Sequence, residues 1–342
     1  MSISLCMITK NEEKFIGQAI NSVKSIVDEV IVVDTGSTDK TREIVIRLGA
    51  KVFYKDWTND FSDARNFSIS KATKDWILVL DADEIIAQDD LEKLKELTTS
   101  NAGAFSFVQR NYSNKVNDAR FIPIKETPAS KDYKGYLKAV VTRLFKNDKR
   151  IKFTGKVHES VNESITEING KIVESNIPIH HYFEEKGKEN LKQRQLMYLD
   201  ISKEKLKTNP NDPKTHCDIG IISWEFNKDS KTAIHHFEKA IEFAKDYENA
   251  YLGLGAVYAE QGELKKAVEV YKRLIDTKPM CYNAYHNLAE IFAAIGMLED
   301  AIREYKRCLK LNLRDEKNIK AKIKALENQV GGLSYDFNAG VG

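Results

Sequence analysis

The sequence predicts an α/β domain followed by an all-α domain built from repeats. Before His181, short β-branched runs alternate with amphipathic stretches, a pattern typical of strands joined by helices. After residue 185 every periodic segment is helical, and small and aromatic residues recur at a fixed interval. A length of 342 residues agrees with two domains of ordinary size.

The composition is that of an ordinary globular protein. Hydrophobic residues make up 42% of the chain, which excludes a disordered protein. Lys and Arg total 53 against 51 Asp and Glu, so the net charge of +2 indicates no nucleic-acid binding. No apolar run approaches the roughly 18 residues of a transmembrane segment. Because Lys10 precedes any signal-like stretch and the four cysteines are scattered, we expect a cytoplasmic protein with reduced thiols.

The elements of the first half follow from this alternation. Strands are predicted at 3–8, 29–33, 51–54, 76–80, 105–108 and 140–145. Helices are predicted near 12–26, 39–48 and 61–72. The order indicates a parallel sheet covered on both faces, in which ligands bind beyond the carboxyl ends of the strands. The polar stretch 112–136 contains Pro123 and Pro128 and is predicted to be a long loop or lid.

The second half repeats with a period of 34 residues. Two sets of residues keep this interval: Ala233, Ala267 and Ala301, and Phe237, Tyr271 and Tyr305. Alanine lets two helices approach closely and the aromatic ring fills the groove beside it, which is typical of tetratricopeptide repeats. Three repeats cover about 214–312, between helices near 188–208 and 314–329. We therefore predict domains at 1–185 and 186–330, and a flexible tail at 331–342.

Polar residues follow three of the predicted strands, at the edge of the sheet where ligands bind. The first strand is followed by Thr9-Lys-Asn-Glu12 and the second by Asp34-Thr-Gly-Ser-Thr-Asp39. Asp81-Ala-Asp83-Glu84 comes directly after the strand at 76–80. Carboxylates in such a place are costly to bury unless they meet a cation or a donor. An Asp-x-Asp pair can hold Mg²⁺ or Mn²⁺, which prefer oxygen ligands and bridge to phosphate.

These motifs, in this order, resemble family 2 glycosyltransferases of the GT-A fold. The matching segments are Ile3–Glu12, Val32–Thr41, Asp63-Ala-Arg-Asn66 and Leu80-Asp-Ala-Asp83. The resemblance covers about residues 1–185. It implies a nucleotide-sugar-dependent, metal-assisted transfer of a sugar with inversion of configuration.

The resemblance also implies which residues bind the sugar donor. By motif position, Asp34 would bind the base, with Thr9 and Glu12 beside the nucleoside. Arg65 would approach the base or the diphosphate, and Asp81 would lie near the ribose and the metal.

The metal, Mn²⁺ or Mg²⁺, would be ligated by Asp83 together with Asp81. A late histidine often completes the metal shell in GT-A enzymes, so one of His180 and His181 would do so here. The other interpretation is that both histidines are ordinary residues at the end of a strand.

The catalytic base is assigned on a departure from the family pattern. The usual x-Glu-Asp triplet is not visible. Thr154-Gly-Lys-Val-His158-Glu159 resembles a segment of a subset of these enzymes, including some lipopolysaccharide-core sugar transferases. An inverting reaction needs a base that deprotonates the acceptor. Glu159 fits that role, and His158 would orient it or touch the diphosphate, although the two remain alternatives.

Several of these residues also have a structural interpretation. Asp34 and Asp39 could cap the helix near 39–48, because Ser37-Thr38-Asp39 is favourable N-cap chemistry. Arg65 could instead pair with Asp60 or Asp63 on the surface of its own helix.

The domain organisation is similar to that of sublancin-type peptide S-glycosyltransferases. A UDP-sugar, such as UDP-glucose or UDP-N-acetylglucosamine, is then the expected donor, and a polypeptide bound in the groove of the repeats is the expected acceptor. The alternative acceptor is a surface-glycan or lipid-linked saccharide, with the repeats used for assembly; the segment at His158 and Glu159 favours it. The repeats could also form a homo-oligomer. A non-catalytic scaffold is the third hypothesis, against which the carboxylates at 34, 81, 83 and 159 argue.

Overall fold

The computed structural model describes residues 1–115, 121–125, 127–311 and 316–338, without the side chains of Lys188 and of 331–338. The chain divides into two compact units, Met1–Gln193 and Arg194–Gly342. In the described ranges, no helix is both long enough and apolar enough to cross a membrane.

A single sheet forms the centre of the first unit. Its strands in chain order are β1 (Ile3–Thr9), β2 (Glu29–Asp34), β3 (Lys51–Tyr54), β4 (Trp76–Val79), β5 (Glu84–Ile85), β6 (Ala104–Ser113), β7 (Phe121–Pro123), β8 (Gly135–Lys146) and β9 (Ile172–His181). They lie in the order β3-β2-β1-β4-β8-β6-β9-β5, and β7 pairs with β8. Every residue of β2 and β4 is buried, as expected for strands covered on both faces.

The helices of this unit pack on the sheet, and the first three of them connect its parallel strands. They are α1 (Ile16–Val23), α2 (Thr41–Arg47), α3 (Phe61–Ile69), α4 (Leu91–Leu97) and α5 (Asn162–Glu167), with 3₁₀ turns at Gln88–Asp90 and Phe183–Lys186. The main core combines apolar residues of β1, β2, β4 and α1 with later strands, and includes Leu5, Ile20 and Leu78, none of them exposed. The predicted α/β fold class is confirmed.

The sheet differs from the sequence prediction beyond β4, because it is mixed rather than parallel throughout. β8 runs antiparallel to β4 and to β6, with Ile77 opposite Phe145. β8 can lie antiparallel to β6 because this arrangement needs no helical crossover between the two strands. The predicted loop at 112–136 also contains β7, which pairs with β8. Residues 116–120 and 126 of that stretch lie outside the described part of the chain.

The second unit consists of paired helices. They are α6 (Lys188–Thr208), which begins in the first unit, then α7 (Pro213–Glu225), α8 (Ser230–Phe243), α9 (Glu248–Glu260), α10 (Leu264–Thr277), α11 (Tyr282–Ala294), α12 (Leu298–Leu311) and α13 (Glu316–Asn338). The three pairs from α7 to α12 correspond to the three predicted repeats. The structure continues α13 to Asn338, where the sequence led us to expect a flexible tail from residue 331.

The recurring residues of the repeats hold the helix pairs together. Ala233, Ala267 and Ala301 are completely buried. A Cβ atom placed at Gly220 would lie 2.7 Å from the Phe237 ring, so the glycine allows the aromatic side chain to pack on the α7 backbone. Gly255 of α9 receives the Tyr271 ring of α10 in the same way, so the recurring rings pack against small residues of the preceding helix.

Candidate active site

The site is built where β1 and β2 end side by side. Thr9 pairs in register with Asp34, and both residues are buried. The Asp34 carboxylate accepts through Oδ1 from the backbone N–H groups of Gly36 (3.1 Å) and Ser37 (2.9 Å). Among the described residues, neither Asp34 Oδ2 nor Thr9 Oγ1 has a hydrogen-bond partner, although both atoms are buried. Such atoms are costly to leave unpaired, which makes them candidates for binding a ligand.

Asp39 stabilises the start of α2 from the position before its N-cap residue, Lys40. Its Oδ1 accepts from the Thr41 N–H at 2.9 Å, in the first turn of α2. Its Oδ2 accepts from the Glu13 N–H at 3.1 Å, which fixes the loop after β1 against the loop after β2. Asp39 therefore has a structural part in the site, and Asp34 retains an unpaired oxygen.

Arg65 lies on α3 and connects two carboxylates that are far apart in sequence. Its Nη2 lies 2.5 Å from Asp81 Oδ1, and its Nε donates to Glu159 Oε1 at 3.0 Å. Burial acts to lower the pKa of Arg65, but Asp81 and Glu159 outweigh it and raise that pKa. Arg65 remains charged and holds the predicted donor-binding and catalytic carboxylates together.

The alternative partners of Arg65 are engaged elsewhere. Asp60 caps α3 by accepting from the Asp63 N–H at 3.1 Å. Asp63 forms an ion pair with Lys55 at 3.0 Å. Arg65 thus forms ion pairs across the site, with Asp81 and Glu159.

A second buried arginine was missed in the sequence. Arg143 on β8 donates through Nη2 to Asp81 Oδ2 (2.9 Å) and to Glu84 Oε1 (2.8 Å). Burial would lower its pKa, but Glu84 and Asp81 prevail and raise it. The sequence feature that could have identified Arg143 is its position as a charged residue within the apolar run 140–145. A cation buried in such a strand requires acidic partners. Both oxygens of Asp81 therefore accept from guanidinium groups, and its metal role stays a prediction.

Asp83 and His181 face each other across the site. Asp83 Oδ2 lies 3.1 Å from His181 Nε2 and 3.0 Å from Lys186 Nζ. Burial would raise the pKa of Asp83, but the neighbouring His181 and Lys186 hold it well below its usual range. Lys186 also lies 2.6 Å from Glu12 Oε1, and sequence reasoning did not find it. The sequence feature that could have identified Lys186 is its position in the segment that follows the strand ending in His181.

The ring of His181 is oriented by an amide. Asn111 donates through Nδ2 to the Leu137 carbonyl at 3.1 Å, which turns its Oδ1 toward His181 Nδ1 at 2.6 Å. Because that oxygen only accepts, Nδ1 carries a hydrogen and Nε2 is the nitrogen presented to Asp83. Orientation of one ring nitrogen by an outer hydrogen bond is the usual arrangement around metal-binding histidines.

His180 lies apart from the carboxylates. Its Nδ1 is hydrogen-bonded to the Tyr112 hydroxyl at 2.8 Å, and the two rings are stacked. Burial lowers the pKa of His180 to about 4, with a smaller contribution from Arg110. Of the two predicted histidines, His181 is therefore the one beside Asp83.

The segment that carries Glu159 and His158 is a tight loop. A bridge between Thr154 and Ser160 closes it, and Gly155 has φ of +97°. His158 also has a positive φ, +56°, and its side chain is exposed. Glu159 points inward to Arg65. The loop thus directs Glu159, rather than His158, to the cluster.

The candidate ligands for a divalent cation in this site are few. In the described ranges, no group of three or more His, Cys, Asp and Glu side chains is arranged to hold a metal. Asp83 and His181 nevertheless supply one carboxylate oxygen and one oriented imidazole nitrogen at a separation of 3.1 Å. Such a two-residue site fits Mn²⁺ or Mg²⁺, which commonly take few protein ligands and complete their coordination with substrate phosphates and water.

Comparisons with known proteins agree with these two units. Residues 4–158 match the model "Glycosyl transferase family 2". Residues 227–290 and 282–315 match models named "Tetratricopeptide repeat".

Curated relatives carry the same two descriptions. A "TPR repeat-containing protein" of Synechococcus elongatus is 37% identical over 56% of this chain and 44% of its own length. "SPbeta prophage-derived glycosyltransferase SunS" of Bacillus subtilis is 29% identical over 72% of this chain and 54% of its own. An "Uncharacterized glycosyltransferase" of Rickettsia typhi is 47% identical over 29% of this chain and 33% of its own. The chain spans about half the length or less of these relatives. Its N-terminal part is thus similar to family 2 glycosyltransferases and its C-terminal part to tetratricopeptide repeats.

Proposed function

We propose that this protein transfers a sugar from a UDP-sugar to a polypeptide, with inversion and with the help of a divalent cation. The observation that carries the proposal is the cluster around Arg65, which holds Asp81 and Glu159 within one site. These residues come from α3, from the end of β4 and from the loop at 154–160. Their convergence supports the roles that the family resemblance implies for them.

The donor is bound at the ends of β1 and β2. The unpaired oxygen of Asp34 is an acceptor suited to an N–H group of the base, and the Thr9 hydroxyl lies on the neighbouring strand. Arg65 and Arg143 supply positive charge next to Asp81, in a place suited to the ribose and the diphosphate. Although Asp81, Glu84 and Glu159 balance the charge of these two arginines, Arg65 Nη1 and Arg143 Nε are buried without a hydrogen-bond partner among the described residues, so each is a donor suited to a phosphate oxygen.

Asp83 and His181 hold the divalent cation, and Glu159 receives the proton of the acceptor. When bound, the cation stabilises the negative charge of the departing diphosphate. Asn111 keeps His181 Nε2 directed to Asp83. Arg65 fixes Glu159 by the hydrogen bond from Nε, so that the carboxylate keeps its orientation when the acceptor approaches.

The acceptor is proposed from the repeats. Helical repeats form extended surfaces that bind peptides, so the repeats of this chain are a candidate surface for binding a polypeptide acceptor. The relative named glycosyltransferase SunS supports this organisation through its similarity over 72% of the chain. A surface-glycan or lipid-linked saccharide is the second candidate, favoured by the His158–Glu159 segment.

Transfer can be tested directly by mass spectrometry. The full chain is incubated with Mn²⁺, with UDP-glucose or UDP-N-acetylglucosamine, and with a peptide bearing Cys, Ser and Thr or with a lipid-linked saccharide. We expect one hexose or N-acetylhexosamine on the peptide and release of UDP. Transfer only to the saccharide would support the second candidate.

Matched variants test the assigned residues in the same assay. Asp83→Asn removes one proposed ligand without changing its size, and we expect transfer to fall at least about 100-fold. Lys93→Met, which removes an exposed charge paired with Asp90, is the control. Full activity of Asp83→Asn, or no UDP release with any donor, would contradict the proposal.

A further inference from the structure

Lys186 lies between two carboxylates of the donor site. Its Nζ is 2.6 Å from Glu12 Oε1 and 3.0 Å from Asp83 Oδ2. The side chains are largely buried, with 13% of Lys186, 17% of Glu12 and 2% of Asp83 exposed. Such a contact has little screening by solvent, so it strongly biases which cation these carboxylates bind.

The oxygen that Lys186 binds is also the one that faces His181. Asp83 Oδ2 is 3.1 Å from His181 Nε2, the ring nitrogen that Asn111 turns toward it. A divalent cation held by Asp83 and His181 therefore needs the oxygen with which the ammonium of Lys186 is paired. Two cations at one carboxylate oxygen repel each other, so the ammonium and the metal compete for it.

Lys186 belongs to a short segment that can release it. It ends the 3₁₀ turn Phe183–Lys186 and is followed by Gly187, whose φ is +83°. Within this turn, Glu184 accepts from Ser113 Oγ at 2.8 Å, and Glu185 pairs with Lys131 at 2.6 Å. The segment remains attached by these contacts even when Lys186 leaves Asp83.

We propose that Lys186 is the resident counter-ion of Asp83 and that a divalent cation must displace it before the donor binds productively. In the absence of metal, the ammonium keeps a deeply buried carboxylate paired, which avoids the cost of an isolated buried charge. When the metal takes Asp83, Lys186 keeps its pair with Glu12. This inference rests on the metal role of Asp83 in the proposed function.

Competition between Lys186 and the metal is tested by measuring the affinity of the full chain for Mn²⁺ in the absence of nucleotide. The electron paramagnetic resonance signal of free Mn²⁺ gives the fraction that is bound. We expect Lys186→Met to bind Mn²⁺ at least about tenfold more tightly than the unaltered protein, since one charge-assisted hydrogen bond is worth that factor. Lys186→Arg retains the cation and is expected to resemble the unaltered protein. Lys131→Met, which removes another lysine paired with the same segment, is the matched control and is expected to leave the affinity unchanged.

The outcomes separate this inference from the proposed function. Equal or weaker Mn²⁺ binding by Lys186→Met, together with lost binding by Asp83→Asn, overturns the role of Lys186 and leaves the metal site intact. Unchanged binding by Asp83→Asn, or no binding by any variant, overturns both.

A second measurement needs no substitution at Lys186. Amide hydrogen exchange of residues 183–187 is compared with and without Mn²⁺ in the unaltered protein. We expect faster exchange with Mn²⁺, because the 3₁₀ turn loses the contact of Lys186 with Asp83 while its contacts with Glu12, Ser113 and Lys131 remain, and no change in Asp83→Asn. Unchanged exchange at a saturating Mn²⁺ concentration contradicts displacement, even if the Lys186 variants do not fold.

Discussion

Replacement of Arg143 by Met tests whether the charged cluster also holds the first unit together. Arg143 is the cation of Glu84, whose side chain is completely buried. Without Arg143, Glu84 retains the hydrogen bonds from the Asp81 N–H and from the Gln109 amide, which are neutral donors, and loses its ion pair. Methionine replaces most of the apolar stem of arginine, so the substitution removes charge rather than packing.

The expected loss follows from the cost of a broken buried ion pair. Removal of one partner of such a pair typically destabilises a protein by about 3–5 kcal/mol. Asp81, with 26% of its side chain exposed, also loses Arg143 but keeps Arg65. We therefore assign most of the cost to Glu84 and expect a loss of at least about 3 kcal/mol. Since small proteins are stable by about 5–15 kcal/mol, this loss would be a large fraction of the free energy of unfolding of the first unit.

Urea unfolding followed by tryptophan fluorescence measures this loss. Trp76 in β4 is completely buried and reports on the first unit, and the measurement is made in a Trp224→Phe background to remove the signal of the repeats. With a slope of about 2 kcal/mol per M, the midpoint should fall by about 1.5 M or more. Arg150→Met, which removes an arginine of the exposed pair with Asp148, should leave the midpoint unchanged.

A second substitution distinguishes loss of the cation from other effects. Glu84→Gln in the Arg143→Met protein neutralises the stranded carboxylate, so we expect recovery of about half of the lost stability. A loss of stability below about 1 kcal/mol for Arg143→Met would contradict this prediction, because burial of the Glu84 carboxylate would then not require the charge of Arg143. If Arg143→Met loses about 3 kcal/mol of stability and Glu84→Gln recovers none of it, the loss would be due to altered packing and not to the unpaired carboxylate.

Three further predictions concern the repeats and the catalytic carboxylate. Gly220→Ala should destabilise the second unit by about 1–3 kcal/mol in thermal unfolding, because the added Cβ would lie 2.7 Å from the Phe237 ring. Gly17→Ala is the control, since the nearest atom to its added Cβ would be 3.5 Å away. Equal melting temperatures for Gly220→Ala and the unaltered protein would contradict this packing. Burial, with the neighbouring His216, lowers the pKa of His236 from 6.5 to about 4, so the neutral ring stabilises the fold fully above pH 6.5 and less as the pH falls to about 4. His236→Gln should therefore make the free energy of unfolding less dependent on pH between about 4 and 6.5. An unchanged dependence would mean that other groups cause the loss of stability in this range. Glu159→Gln should abolish transfer and spare UDP binding measured by calorimetry, whereas retained transfer would remove Glu159 as the base.

The elements of the fold were largely predictable from local patterns. β1, β2 and β4 are continuous apolar runs, and the 34-residue interval of the buried alanines fixed the helix pairs of the second unit. The antiparallel placement of β8 and the strand β7 within a polar stretch were not predictable. They depend on which strand edge is available in the folded sheet, and periodicity within one segment carries no such information.

The site was predictable in its carboxylates but not in its cations. Asp34, Asp81 and Asp83 directly follow strands, where a run of apolar residues makes a carboxylate conspicuous. Arg143 lies inside a strand and Lys186 in a turn, among many other basic residues of the chain. Only their distances to Asp81, Glu84 and Asp83 distinguish them from surface charges.

Local patterns in the sequence were sufficient to predict the two kinds of fold, the period of the repeats and the carboxylates at the strand ends. Each of these depends on residues close together in the chain or at a regular interval, so it can be read without coordinates. That Arg65 joins Asp81 to Glu159 is visible only in the folded structure. The same holds for the contact of His181, rather than His180, with Asp83. It holds also for the contact of Lys186 with that carboxylate. Those pairings join residues up to about 100 positions apart, and the physical reason for them is burial: a charge removed from water requires a partner wherever the fold brings one.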